Sequence, residues 1–296
     1  MKKNYIILVA ILALLLLSAY LVMQKQGEQS STAEQTAKFI SVDSLSIDKI
    51  SIRTSSQSLL LEKQGNTWHL KEPINDKADQ PSVAKIIHMM KELEIKNVVS
   101  SNPAKQSVFN VDTVNGTRVT LFENGNETSS FIVGKSGPSY NDTYVRKHGS
   151  NDVLLVNASL GYEFTKGVKE WRNKILVSVP RETIKEVTYQ FGDTTFSVTN
   201  SGGAWLIGKD TAQSDVVNGV LAALTDLRAD DFLDTVHAAA KKVQTLVSYA
   251  NTQVRFALDK TTNKYFVQTS ASPQWYVMEQ WRVNQVLKRK KEFVKK

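Results

Sequence analysis

Apolar and polar residues alternate in short runs that are written twice along this chain. Ile50 and Ile52, Leu59 and Leu61, Gly65, Trp68 and Leu70 recur as Val187 and Tyr189, Phe196 and Val198, Gly202, Trp205 and Ile207, all at an offset of 137 residues. Period-two spacing predicts strands with one buried face, and Gly65-Asn66 predicts the turn before Trp68. Val83, Ile86, Ile87, Met90 and Leu93 then fall at helical spacing, one apolar stripe of an amphipathic helix. Asp79 is placed to cap it, with Pro81 in its first turn. The same stripe returns as Val217, Val220, Leu221, Leu224 and Leu227, now at an offset of 134, with Ser214 or Asp215 as cap. The loop between tryptophan and helix is therefore three residues shorter in the second copy, a change that loops absorb and a core helix does not.

The later parts correspond more loosely. Val119-Thr120-Leu121 is matched to Val254-Arg255-Phe256, Tyr144-Val145 to Tyr276-Val277, and Trp171-Arg172 to Trp281-Arg282. Phe131-Ile132-Val133, Val153 to Val156 and Tyr265-Phe266-Val267 read as further strands. The expected fold is α+β, with two tandem, pseudo-symmetric, strand-rich units, each carrying one main helix on a largely antiparallel sheet.

Ahead of this body lies a different pattern. Tyr5 to Met23 is a 19-residue run without charge. As a helix it matches the hydrocarbon thickness of a bilayer. Lys2 and Lys3 precede it, which orients the N-terminus inward and the body outward across the cytoplasmic (inner) membrane. Ser18-Ala19-Tyr20 makes a poor cleavage site, so the run reads as an uncleaved anchor rather than a signal peptide. Gln24 to Thr36 is polar and aperiodic, the composition of a stalk. The expected layout is an anchor over 1–23, a flexible stalk over 24–45, a first repeat unit over 46–176 and a second over 177–296 with a basic C-terminal tail.

Charge changes the picture little. Of the formal +8, Lys2 and Lys3 supply +2, and Lys288, Arg289, Lys290, Lys291, Lys295 and Lys296 less Glu292 supply +5. The rest is nearly neutral, which argues against a nucleic-acid-binding face. The chain has no cysteine, which removes disulfides, thiolate metal sites and a thiol nucleophile.

With these residues set out, the chain resembles the DUF4340 family, a domain of unknown function in bacterial proteins. The resemblance runs from about Asp48 to Met278. It is carried by the Ile-x-Ile strand, Gly-x-x-Trp-x-Leu, Pro73, Asp79, the helix with Leu93, Phe131 to Gly134, Tyr144-Val145-Arg146 and Trp171-Arg172-Asn173-Lys174. The family's Gly-Leu-Asp-x-Pro stretch is replaced by Phe109-Asn110-Val111-Asp112-Thr113-Val114. Members look like single-span proteins with an exported domain, and some resemble auxiliary components of gliding-type ABC transport systems. The resemblance implies a partner in the membrane.

Candidate chemistry is sparse. Gly134-Lys135-Ser136 lacks the glycine of a phosphate-cradling loop, since Ser129 stands there, and reads as a strand end, as Gly208-Lys209 does. His69, His88, His148 and His237 are too far apart in sequence for a metal motif. Asp230-Asp231, with Arg228 close by, reads as a solvated helix end. Asp76 and Asp79 fall in a loop. Trp68 and Trp205 read as core, whereas Trp275, Tyr276 and Trp281 suit either core closure or a partner. Val283, Val286 and Leu287 extend a helix whose solvated end is Lys288 to Lys291, read as helix C-terminal cations or as a lipid contact. No catalytic, cofactor or metal residue is assigned. The expected function is a membrane-tethered, extracytoplasmic, non-catalytic domain. Its partners are membrane lipid, through the anchor, and an integral membrane protein or transporter complex. The alternative is an extracytoplasmic enzyme or binding protein acting on cell-envelope glycans or peptides at a cleft between the two repeat units.

Overall fold

The computed structural model describes residues 37–235 and 243–294. The anchor Tyr5 to Met23, the stalk up to Thr36 and His237 lie outside the described residues. No helix among the described residues is long and apolar enough to cross a membrane. The fold is α+β, built from strand-rich antiparallel sheets with a few helices.

Two compact units divide it. The first takes residues 37–47, 52–56 and 86–165, and the second takes 48–51, 57–85, 166–235 and 243–294. The strands of the earlier sheet are β1 (Ala37–Lys38), β2 (Ile47–Arg53), β3 (Ser58–Gln64), β4 (Thr67–Glu72), β5 (Asp76–Lys77), β6 (Glu94–Ser100), β7 (Thr117–Glu123), β8 (Asn126–Ser136), β9 (Thr143–Lys147) and β10 (Val153–Val156). Helix α1 (Gln80–Lys91) follows β5, and the short α2 (Gly161–Phe164) and α3 (Val168–Trp171) follow β10. The hydrogen-bonded order is β1-β6-β10-β9-β8-β7-β2-β3-β4-β5.

Strand β11 (Ile175–Ser178) pairs only with β16 (Asp226–Arg228). The later sheet holds β12 (Glu186–Phe191), β13 (Thr194–Ser201), β14 (Ala204–Ile207), β15 (Asp210–Thr211), β17 (Asp231–Leu233), β18 (Thr245–Tyr249), β19 (Thr252–Asp259), β20 (Lys264–Thr269) and β21 (Trp275–Met278). Its order is β15-β14-β13-β12-β18-β19-β20-β21-β17. Helix α4 (Ser214–Thr225) follows β15, and α5 (Gln280–Val286) and α6 (Lys290–Phe293) close the chain.

Read from β5 to β6 and from β15 to β17, the two orders are the same. Strands β3 and β4 alternate as expected, with Leu59, Leu61 and Leu70 fully buried between more exposed neighbours. Helix α1 buries Val83, Ile86 and Met90. Asp79 caps it as expected, accepting from the Ser82 amide at 3.1 Å. The cap of α4 is Gln213, without a side-chain bond, and Ser214 and Asp215 sit inside the first turn instead. There Asp215 still complements the helix dipole.

The three-residue difference is localised to one hairpin. His69 and Leu70 pair with Lys77 and Asp76 across five residues, whereas Leu206 and Ile207 pair with Thr211 and Asp210 across Gly208-Lys209. A two-residue turn of this kind needs a residue at positive φ, and Gly208 has φ +65°.

The later correspondences shift by one strand. Beside β2 lies β7, and beside β12 lies β18, so the strand that carries Val119 and Leu121 has its counterpart in the strand that carries Val247 and Tyr249. Val254 to Phe256 lies on β19, the place of β8. Tyr144-Val145 on β9 corresponds to β20, while Tyr276-Val277 lies on β21, the place of β10. Trp171 corresponds to Phe293 rather than to Trp281. The Trp171 carbonyl accepts the Asp79 amide at 2.8 Å, and the Phe293 carbonyl accepts the Gln213 amide at 2.7 Å. Both rings are fully buried, whereas Trp281 is 56% exposed. Apolar strands resemble one another in sequence, and only hydrogen-bonded order separates them.

In the second unit one core cluster joins α4 through Val217, Val220, Leu221 and Leu224 to Val283 and Val286 of α5 and Phe293 of α6. In the first unit Phe131 meets Phe39 and Phe164 edge-on at 5.3 and 6.3 Å. A separate small cluster of Val111, Ile132 and Val153 sits under the 107–116 loop. Asn110 there adopts φ +55°, a left-handed conformation that asparagine tolerates better than most residues.

Candidate functional site

Charged side chains of the second unit converge on β16, β17 and the segment after α3. Backbone bonds position that segment: Asn173 donates to the Lys77 carbonyl at 2.8 Å, and Ala229 donates to the Lys174 carbonyl at 2.8 Å. Arg172 is thereby held with only 4% of its surface exposed. Its Nε meets Asp76 Oδ2 and its Nη1 meets Asp234 Oδ1, each at 2.7 Å. Its guanidinium lies 3.5 Å from the centre of the Phe232 ring. Two carboxylates and an aromatic face thus compensate one buried cation.

The neighbouring acids are each occupied as well. Asp230 accepts Arg282 Nη2 at 2.8 Å and the Glu279 amide at 2.8 Å. Asp231 accepts Lys169 Nζ at 2.7 Å, and Glu279 pairs with Lys264 at 2.7 Å. Burial opposes the ionised form of Asp230, but the Arg282 and Glu279 hydrogen bonds outweigh it, so its carboxyl lies below the usual range. Asp231 is lowered in the same way, burial being outweighed by Lys169. Tyr276 is pushed up by burial and by the Asp76 charge. These carboxylates are held ionised and paired, which suits a latch and not proton donation near neutrality.

Arg228 pairs with Asp226 at 2.8 Å, whereas Asp230 pairs with Arg282 and Asp231 with Lys169. Asp231 begins β17 and Asp230 immediately precedes it, so neither lies at a solvated helix end. Asp76 joins the cluster, while Asp79 caps α1. Lys169 and Asp234 carry no local motif, and Arg172 and Asp76 meet only through tertiary structure.

The other sequence candidates are dispersed. Gly134-Lys135-Ser136 ends β8, with Lys135 Nζ 5.5 Å from the Phe109 ring centre. His88 and His148 are exposed and His69 half-buried. Among the described residues, no three His, Asp or Glu side chains gather in a metal-binding group. Trp68 is buried, and Trp205 packs partly buried against the second core. Tyr276 packs on Phe232 at 5.5 Å, and Trp275 lies against Ala257 and Phe266. Of that aromatic trio only Trp281 is exposed. A shallow groove of about 670 Å³, lined by Thr188, Ser248 and Gln253 among others, crosses the polar face of the later sheet.

Lys288 to Lys291 are not the end of one continuous helix. Helix α5 stops at Val286, Leu287 is extended, and α6 begins at Lys290.

The model of a family described as a domain of unknown function (DUF4340) matches residues 68–249. No curated protein matches the chain. No solved structure matches it either.

Proposed function

The chain belongs to the DUF4340 family, and we propose that it is a membrane-tethered, extracytoplasmic, non-catalytic domain that supports an integral membrane complex, an ABC-type transport system being the favoured one. The observation that carries this reading is the uncharged run from Tyr5 to Met23 behind Lys2-Lys3. The body fits the role of a support. Its sheets follow one strand order twice, the arrangement of an internal duplication with two pseudo-symmetric repeats. Its clustered carboxylates are committed to ion pairs.

Two measurements test the proposal. Phosphatase and fluorescent-protein fusions to the C-terminus report its side of the membrane, with phosphatase activity expected. Crosslinking of the full chain in cells is expected to recover one specific integral membrane partner. A chain released by alkaline carbonate, or an intact anchored chain that captures no such partner, overturns it.

A further inference from the structure

The closing segment gathers cations and then holds them in place. Lys288, Arg289, Lys290 and Lys291 are consecutive, with Glu292 the single acid beside them. Phe293, 1% exposed, pins the run to the second core, and its carbonyl accepts the Gln213 amide at 2.7 Å. The Glu292 carbonyl accepts Gln213 Nε2 at 3.1 Å, and the Arg289 guanidinium lies 3.8 Å from the centre of the Phe191 ring. The cations therefore sit at fixed places on the second unit.

Their charge is left open. Elsewhere in the unit Lys169, Arg172, Lys264 and Arg282 each meet a carboxylate at 2.7 or 2.8 Å. Among the described residues no carboxylate pairs with Arg289, Lys290 or Lys291, and Glu292 reaches only Lys288, at 3.9 Å. Nor does the run close a long helix, since α6 is one turn of four residues, so dipole compensation does not account for it. Like charges set this closely repel one another, and a field of external anions relieves them. Lys290 and Lys291 carry point charges on flexible stems, without the planar fork that fits one carboxylate, which suits a fluid layer of phosphates better than a fixed acidic partner. Trp281, 56% exposed on α5, is the residue type that settles at a lipid–water boundary. Helical rise puts it about 10 Å from the run.

We infer that Lys288 to Lys291 dock the second unit on an anionic bilayer surface, held there by headgroup phosphates. The inference goes beyond the tethered-support reading. It rests on that reading only in preferring a bilayer to an acidic protein, because a tether keeps the body beside lipid.

The test places the full chain in nanodiscs of zwitterionic phosphatidylcholine and adds sucrose-loaded phosphatidylcholine vesicles with or without phosphatidylglycerol, binding being read by sedimentation. Binding is expected only where phosphatidylglycerol is present, and it should weaken as salt is raised. K290Q/K291Q should weaken it about 25-fold, at about fivefold per cation. K290R/K291R keeps the charge and should bind as the native chain does. Both side chains are exposed, so neither pair should move the urea midpoint. K105Q/K260Q, which removes two exposed cations from elsewhere, should leave binding unchanged. Binding that does not need phosphatidylglycerol, unchanged binding in K290Q/K291Q, or an equal loss in K105Q/K260Q overturns the inference. No binding to phosphatidylglycerol also overturns it and leaves an acidic protein as the partner of this run. A chain that does not enter the disc refutes the tether alone, and the same comparison of vesicles and variants is then made without the disc.

Discussion

Replacing Phe293 with alanine removes a ring that is 1% exposed and lies 5.8 Å from Tyr189 and 6.2 Å from Phe196. The backbone bond from the Gln213 amide to the residue 293 carbonyl survives the change, so the loss is one of packing. Truncating a buried Phe costs about 3–5 kcal/mol, of which the aromatic pairings account for about 1 kcal/mol. A domain holds only about 5–15 kcal/mol in total, so F293A should unfold the second unit at markedly lower denaturant. All five tryptophans lie in that unit, which makes fluorescence during urea unfolding of the full chain its specific reporter. The midpoint should fall with an unchanged slope. A loss below about 1 kcal/mol would show that residues 290–294 are not part of this core and that the match of Phe293 to Trp171 is wrong.

Other perturbations bear on separate elements. The turn from β18 to β19 places Ala250 and Asn251 at φ +44° and +60°, where the turn from β7 to β8 has Asn124 and Gly125. A250N with N251G should stabilise by about 0.5–1 kcal/mol in thermal unfolding, and a loss would argue against this turn geometry. Gly134→Ala would set a Cβ 2.3 Å from the Phe109 carbonyl oxygen and 2.6 Å from Val111, and should cost about 1–3 kcal/mol by displacing the 107–116 loop. Asp112, Asp230 and Asp231 have lowered folded pKa values, Asp112 chiefly through its bond from Asn115. The unfolded chain therefore takes up protons first as pH falls. Stability should be full above about pH 4 and decline below it, and D230N should flatten that decline in acid titrations followed by circular dichroism.

Strands β2 to β4 and β12 to β14, both main helices and the loop shortened by three residues were legible because each rests on local spacing, whereas β6, β11 and β18 were not. Period two marks a half-buried strand, period 3.6 a helix face, and Gly208-Lys209 a tight turn. The second half of each repeat was not legible residue by residue. Val, Phe and Tyr in alternation fit any strand of a sheet, and the deciding fact is which strand lies beside β2 or β12. The charged cluster failed for a related reason. Arg172 meets Asp76 and Asp234 across 96 and 62 positions, whereas the conspicuous neighbours Asp230 and Asp231 turn to different cations.

The C-terminal segment shows how far composition misleads when one residue governs the path. Where the Trp171 carbonyl takes the amide of Asp79 ahead of α1, the Phe293 carbonyl takes the amide of Gln213 ahead of α4, and both rings are buried. To deliver the Phe293 ring, α5 must end at Val286 and the chain must extend through Leu287 before turning again. This leaves Lys290 and Lys291 in α6, a single turn of four residues, and not at the C-terminal end of a long helix whose dipole they would compensate.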